Sequence, residues 1–146
     1  MLMRPGPAGV RPIEDPVTKA MITAAINIHR RLGPGLLEST YRACLCYELQ
    51  KMQFEIMVEP RLSITYDDLV ISNAYRLDLV VAGTVVVELK HVEKLLAIHE
   101  AQLRTYLKLS GMTCGILLNF NSAVMKNGIR RLDLPVVSRA VHPGRL

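Results

Sequence analysis

Asp78, Glu88 and Lys90 interrupt an apolar, β-branched stretch running from Tyr75 to Lys90, YRLDLVVAGTVVVELK. Two carboxylates and an ammonium held together can do hydrolytic chemistry. Carboxylate oxygens are what a hard divalent cation such as Mg²⁺ takes as ligands, and Mg²⁺ keeps several waters around it. Asp78 and Glu88 could supply two ligands and the Leu89 backbone carbonyl a third. A metal so held polarises a phosphoryl oxygen and lowers the pKa of a bound water. Lys90 could orient or deprotonate that water, or neutralise charge developing on phosphorus. Taken alone, the D-x₉-E-x-K pattern is also open to a plainer reading, a lysine–carboxylate salt bridge at a solvent-facing sheet edge.

For these three groups to meet, the stretch must fold as a β-hairpin that turns at Ala82-Gly83-Thr84. Residues two apart on a strand share a face, so Val86, Glu88 and Lys90 point one way and Val85, Val87 and Leu89 the other. Asp78 opposes Glu88 only if the loop holds an odd number of residues, with Val81 across from Val85. A slip of one residue would send Asp78 to the other face.

Two helices must bracket the hairpin. One is expected from near Leu36 to near Met52. It sets Glu38, Tyr41, Leu45 and Leu49 on one stripe, so a carboxylate heads an inward-facing row. The simpler role for Glu38 is to complement the helix dipole in the first turn. The other helix is expected to begin between His91 and Lys94, to run to Leu109 and to end at Gly111. It carries His99, Gln102 and Tyr106 on one face, beside an apolar face of Leu96, Leu103 and Leu107. Gln and Tyr suit hydrogen bonding to phosphates or to a metal-bound water. They equally suit a helix packed on a sheet with a buried Tyr hydroxyl and a partly exposed Gln. His99 is a candidate substrate contact beside Gln102 and Tyr106, but it has no second His or Cys at metal-ligand spacing, which favours an ordinary helix-surface role.

The rest of the chain reads as a mixed α/β domain over residues 14–134, between a loose Pro/Gly-rich segment 1–13 and a basic tail 135–146. Asp15-Pro16 is an N-cap followed by proline at the first helical position, and the helix it opens runs to about Leu32. Its apolar face is Val17, Met21, Ala24, Ala25 and Ile28, and Gly33-Pro34-Gly35 breaks it. Phe54–Val58 and Leu62–Tyr66 read as strands, Asp67-Asp68 as a turn, and Leu69–Ser72 as an extended piece leading into the hairpin. Cys114–Phe120 is an apolar run of strand length, suited to burial on both faces. Strand 85–90, helix and strand 114–120 then make a parallel βαβ unit. Ser122–Lys126 reads as a helical turn and Ile129–Leu132 as an edge strand.

The 146 residues carry a net charge of +5 with a pI near 9.3. That permits nucleic-acid binding without requiring it. His29-Arg30-Arg31, Lys126, Arg130, Arg131 and the C-terminal arginines could contact phosphates, although solvated helix ends and tails explain any one of them. The aromatic residues are too scattered for a base-stacking platform. No apolar run approaches the roughly 20 residues that span a bilayer. The N-terminus lacks the apolar core of a secretory signal. Three cysteines, Cys44, Cys46 and Cys114, make neither an even disulfide framework nor a metal quartet, which points to thiols in a reducing cytoplasm.

The D…E-x-K hairpin, the preceding helix with Glu38 and the following Gln102-x-x-x-Tyr106 together resemble the PD-(D/E)XK nuclease superfamily. More narrowly, Gly35-x-x-Glu38-x-x-Tyr41 looks like the motif naming the bacterial GxxExxY protein family. So do HRRLGPGLLESTY, YRLDLVV, VVVELK, HEAQLRTYLKLSG and LLNF. The resemblance spans residues 15 to 132. It implies a restriction-endonuclease-like α/β/α core with a central mixed sheet. It further implies a divalent metal, Mg²⁺ or Mn²⁺, held by Asp78 and Glu88 with Glu38 completing the shell. Lys90 would assist hydrolysis, and Gln102 and Tyr106 would line the site. One departure is Leu77, which stands where the strict signature has proline. The implied substrate is nucleic acid, DNA ahead of RNA, and small nucleases of this type often act as homodimers. A non-catalytic nucleic-acid- or protein-binding module that keeps the fold is the alternative.

Overall fold

The computed structural model describes residues 15–135; the expectations for segment 1–13 and, but for Pro135, for segment 135–146 lie outside them. Helix α1, Pro16–Leu32, starts as its sequence dictates. The Asp15 carboxylate accepts the Val17 N–H (3.4 Å) and the Thr18 hydroxyl (3.1 Å), and Pro16 needs no N–H partner at this position. Met21, Ala24, Ala25 and Ile28 are buried, and the chain leaves the helix through Gly33, whose φ of 72° favours glycine. Helix α2, Glu38–Lys51, buries Tyr41, Leu45 and Leu49, the stripe read from the sequence.

Strands β1 (Ile56–Val58), β2 (Arg61–Tyr66), β3 (Leu69–Arg76), β4 (Leu79–Val81) and β5 (Val85–Lys90) follow. Helix α3 (Ala97–Ser110), β6 (Cys114–Asn119), a 3-10 turn at Met125–Gly128 and β7 (Ile129–Asp133) complete the described chain. The central sheet has five strands in the order β1-β4-β5-β6-β7. Only β5 and β6 run parallel, joined by the α3 crossover, so the sheet is mixed.

Alternation along the strands sorts the core into two layers. Leu79, Val81, Val85, Val87 and Leu89 join Ile116 and Leu118 in packing against α1 and α2. Val80, Val86 and Leu117 pack on the other side against Leu103 and Leu107 of α3. The result is the expected α/β/α sandwich, and β6 is buried along its whole length. Close approach of α3 explains Gly115: a Cβ there would stand 2.8 Å from Cδ1 of Leu103, which is itself fully buried.

Three sequence expectations need correction. The stretch from Tyr75 to Val81 is not one strand. Tyr75 belongs to β3, which pairs with β2 in a separate two-stranded ribbon, and the chain crosses to the central sheet at Leu77 and Asp78. Backbone bonds from Leu77 N–H to the Pro60 carbonyl (3.1 Å) and from Glu59 N–H to the Asp78 carbonyl (2.9 Å) steer that crossing. The third helix starts at Ala97, later than expected, because the side chain of Asn119 occupies the backbone of the preceding loop. Its Oδ1 accepts the Val92 N–H (3.2 Å) and its Nδ2 donates to the Val92 carbonyl (2.8 Å). Finally, Leu96 lies before the helix and is exposed; Leu95 is the buried leucine there.

Candidate active site

The β4–β5 connection comprises Ala82, Gly83 and Thr84, an odd loop, and it pairs Val81 with Val85 and Leu79 with Val87. One further step puts Asp78 across from Glu88. There the two side chains take over from the backbone ladder. The Asp78 N–H donates to Glu88 Oε1 at 3.0 Å, and the Leu89 N–H donates to Asp78 Oδ2 at 2.8 Å. Each carboxylate is thus anchored by an amide of the opposite strand and keeps a second oxygen for other work. The carbonyl of a strand residue leaves on the same side as its N–H. The Leu89 carbonyl therefore faces the Asp78 side of β5.

Glu88 is 5% exposed. Burial, and then the charge of Asp78, push its carboxyl up to about 8, although the Asp78 N–H and Lys90 pull the other way. Protonated Glu88 also hydrogen-bonds to the Asp78 carboxylate, which favours the protonated form further. Glu38, at the head of α2, comes to this cluster from the opposite helix layer. Partial burial and the charge of Asp78 raise its pKa, while Lys90, Arg42 and His91 lower it. Asp78 therefore acts on both Glu88 and Glu38, but no group of three His, Cys, Asp or Glu among the described residues forms a ready-made metal cage.

Lys90 leads into α3. Its ammonium donates to Gln102 Oε1 (2.5 Å), Gln102 Nε2 donates to the Tyr106 hydroxyl (3.0 Å), and the Tyr106 ring stacks on Tyr75 with centroids 5.3 Å apart. Gln102 and Tyr106 thus join the hairpin charges in one chain of contacts. His99 stands elsewhere in its bonding. Its Nδ1 accepts the Leu96 N–H (2.8 Å) at the start of α3, satisfying a helix-end donor.

Sequence reasoning missed two residues here. Tyr75 supplies the ring beneath Tyr106, and its buried hydroxyl has no partner among the described residues. Asn119, paired in register with Lys90, fixes the loop after it. A buried amide at the end of an apolar strand was the available signal for Asn119. For Tyr75 the signal was hidden by the break between β3 and β4.

The Gly35-x-x-Glu38-x-x-Tyr41 spacing also has a physical meaning. The Tyr41 hydroxyl donates to the Gly33 carbonyl (2.5 Å) and accepts the Leu36 N–H (3.1 Å), while its ring stacks on Phe120 with centroids 4.5 Å apart. Gly35, at φ 100°, lets the loop bend back far enough to be stapled. That staple sets where α2, and hence Glu38, begins. Tyr41→Phe leaves a part-buried amide and carbonyl without their partner. It is expected to cost about 1–2 kcal/mol, read as a lower denaturant midpoint with unchanged slope.

Several of the cations suggested as phosphate contacts are engaged. Arg131 pairs with Asp133 (2.8 Å), Arg130 donates to the Asn127 and Ile129 carbonyls, and His29 Nε2 lies 2.7 Å from the Ser122 carbonyl oxygen. Arg30 and Arg31 remain exposed.

An α/β/α sandwich around a mixed five-stranded sheet, with an acidic pair and a lysine at the end of its central hairpin, defines a restriction-endonuclease-like domain. Residues 15–132 match the family model of the PD-(D/E)XK nuclease superfamily, and the chain belongs to that superfamily. No curated protein and no solved structure matches it. No helix among the described residues is long and apolar enough to cross a membrane.

Proposed function

We propose that the chain is a Mg²⁺-dependent nuclease that hydrolyses phosphodiester bonds of nucleic acid, with DNA as the first substrate to test. The observation that carries this reading is the Asp78–Glu88 pair. Backbone N–H groups hold the two carboxyls together at a partly buried spot, where they repel once both are ionised, beside a lysine held by Gln102. A dication relieves that repulsion, and an all-oxygen donor set suits Mg²⁺. Mg²⁺ is commonly held by one or two carboxylates, waters and substrate phosphates, so a closed protein cage is not needed.

Asp78 and Glu88, with the Leu89 carbonyl, would hold the ion, and Glu38 would reach it through water. When bound, the ion supplies Lewis acidity and a more acidic water. The chain's own groups do the rest. Gln102 orients the Lys90 ammonium towards the cluster, where it neutralises charge on the phosphoryl oxygens or positions the attacking water. Tyr106 fixes the Gln102 amide so that its oxygen faces Lys90. The Gly35–Tyr41 motif supports a narrower membership in the GxxExxY family, and a count of three cysteines, which makes no even disulfide framework, supports a cytoplasmic site of action.

With Mg²⁺ or Mn²⁺ the purified protein is expected to cleave DNA, and Asp78→Ala to remove the activity. Absence of cleavage on every DNA and RNA form, with Asp78→Ala indistinguishable from the parent, would sink the proposal. The second reading, a binding module without hydrolysis, draws on the convergence of only two carboxylates. It predicts no metal-binding heat that depends on Glu88, so titration calorimetry separates the two.

A further inference from the structure

Two surfaces remain unexplained by the site. The first is the tip of the β2–β3 ribbon. Tyr66 pairs with Leu69 across the turn Asp67-Asp68, at the end of a ribbon that forms a two-stranded sheet of its own. Tyr66 is 70% and Leu69 58% exposed. Neither Asp67 nor Asp68 has an ion pair among the described residues. Asp67 holds a left-handed φ of 52°, so the turn is a fixed projection and not an extended strand end.

The second is a groove of about 620 Å³ on the outer side of α1 and α2. Arg30, Arg31 and Lys51 outnumber the one carboxylate on its rim, Glu48, and Leu32, Cys44 and Tyr47 supply apolar and aromatic surface. Lys51 is shared with Glu48 (3.4 Å) and lies over the Tyr47 ring (4.9 Å). Arg30 and Arg31 have no acidic partner among the described residues. Tyr47 is 62% exposed. Tyrosine and arginine around an apolar floor are the composition of a protein-binding hot spot.

Electrostatics decides which surfaces can meet. Tip against tip would gather four carboxylates, and groove against groove would gather the arginines of two copies. Tip against groove matches two carboxylates with two free guanidiniums, and Tyr66 and Leu69 with the floor. The exposure of Tyr66 and Tyr47 means a single chain does not make this contact with itself. We propose that the Tyr66–Leu69 tip of one copy docks into the α1–α2 groove of a second copy, so that the chain associates with itself through an acidic tip and a basic, tyrosine-lined groove. Mutual exchange of tips closes a dimer, and one-way docking gives an open chain of copies. The proposal does not depend on the nuclease reading. The strand that carries Leu69 does run directly to Tyr75 and Asp78.

Sedimentation velocity of the full chain is expected to show reversible association that weakens with salt. Asp67→Asn/Asp68→Arg and Arg30→Glu/Arg31→Glu should each weaken it by about tenfold or more, and combining the two sets should restore it. Circular dichroism checks folding, and Tyr66→Ser supplies a tip variant without charge change, expected to weaken association likewise. Cys44 gives an independent readout. In Asp68→Cys, mild oxidation should link the introduced thiol to Cys44 of another copy, and C44A should prevent that link. A chain that stays monomeric at its highest soluble concentration overturns the proposal. So does association indifferent to folded tip and groove variants, or association that requires added nucleic acid.

Discussion

Glu88→Gln is expected to stabilise the metal-free protein above neutral pH while abolishing metal-dependent cleavage. In the native chain Glu88 has a carboxyl raised from 4.5 to about 8 by burial and by Asp78. Below 4.5 the native and unfolded states both hold its proton. Between 4.5 and about 8 the unfolded state has released the proton and the native state has kept it, so stability falls as pH rises through this window. Above about 8 the full cost, on the order of a few kcal/mol, is in place. Glutamine resembles the protonated acid. Its Oε1 still accepts the Asp78 N–H, and its amide donates where the acid proton did. The gap in melting temperature between variant and parent should therefore be absent in acid and widen up to pH 8. Cleavage should fall by about 100-fold or more, since a metal contributes several kcal/mol and each 1.4 kcal/mol is tenfold. A variant that cleaves normally, or whose stability tracks the parent at every pH, would contradict the role given to Glu88.

The same carboxyl should couple metal binding to protons. Mg²⁺ needs the ionised form, so binding near neutral pH must expel the Glu88 proton. The apparent affinity is expected to rise about tenfold per pH unit up to about 8, the Glu88 value, and then to level. Titration calorimetry in two buffers of different ionisation heat should count about one proton released per ion near neutral pH. Asp78→Ala removes the second cause of the raised pKa, so the proton count near neutral pH should drop along with the affinity. A pH-independent affinity through this range would mean that the metal does not use Glu88.

How much of this was legible beforehand differs by residue. The two faces of the hairpin were, because alternation puts Val85 and Val87 on one side and Val86 on the other, but its register was not: it hung on an odd loop, which the Val81–Val85 pairing supplies. The α2 stripe and the apolar β6 were legible for the same reason, their periodicity. The break at Leu77 and Asp78 was not. There a carboxylate accepts the Leu89 amide and a second carboxylate accepts the Asp78 amide, and such side-chain substitutions leave no periodic trace. The late start of α3 has the same origin, since Asn119 and His99 claim backbone groups that a helix from His91 would have used. Residues read by their pattern were therefore found, while Tyr75 and Asn119, which matter through one partner each, were passed over.

The grip of Asn119 on Val92 also orders events in time. Asp78 and Glu88 meet within a hairpin, ten residues apart, whereas Asn119 reaches Val92 across 27 residues and only once β6 lies beside β5. Loop closure of that length follows local pairing. A nascent chain would thus assemble its repelling carboxylates first and acquire the fixed Lys90 loop last. The polypeptide is expected to remain chemically idle until the crossover is complete. In pulse-labelled hydrogen exchange during refolding, the Val92 amide should gain protection together with β6 and after the β4–β5 amides. Simultaneous protection of Val92 and the hairpin would remove this order.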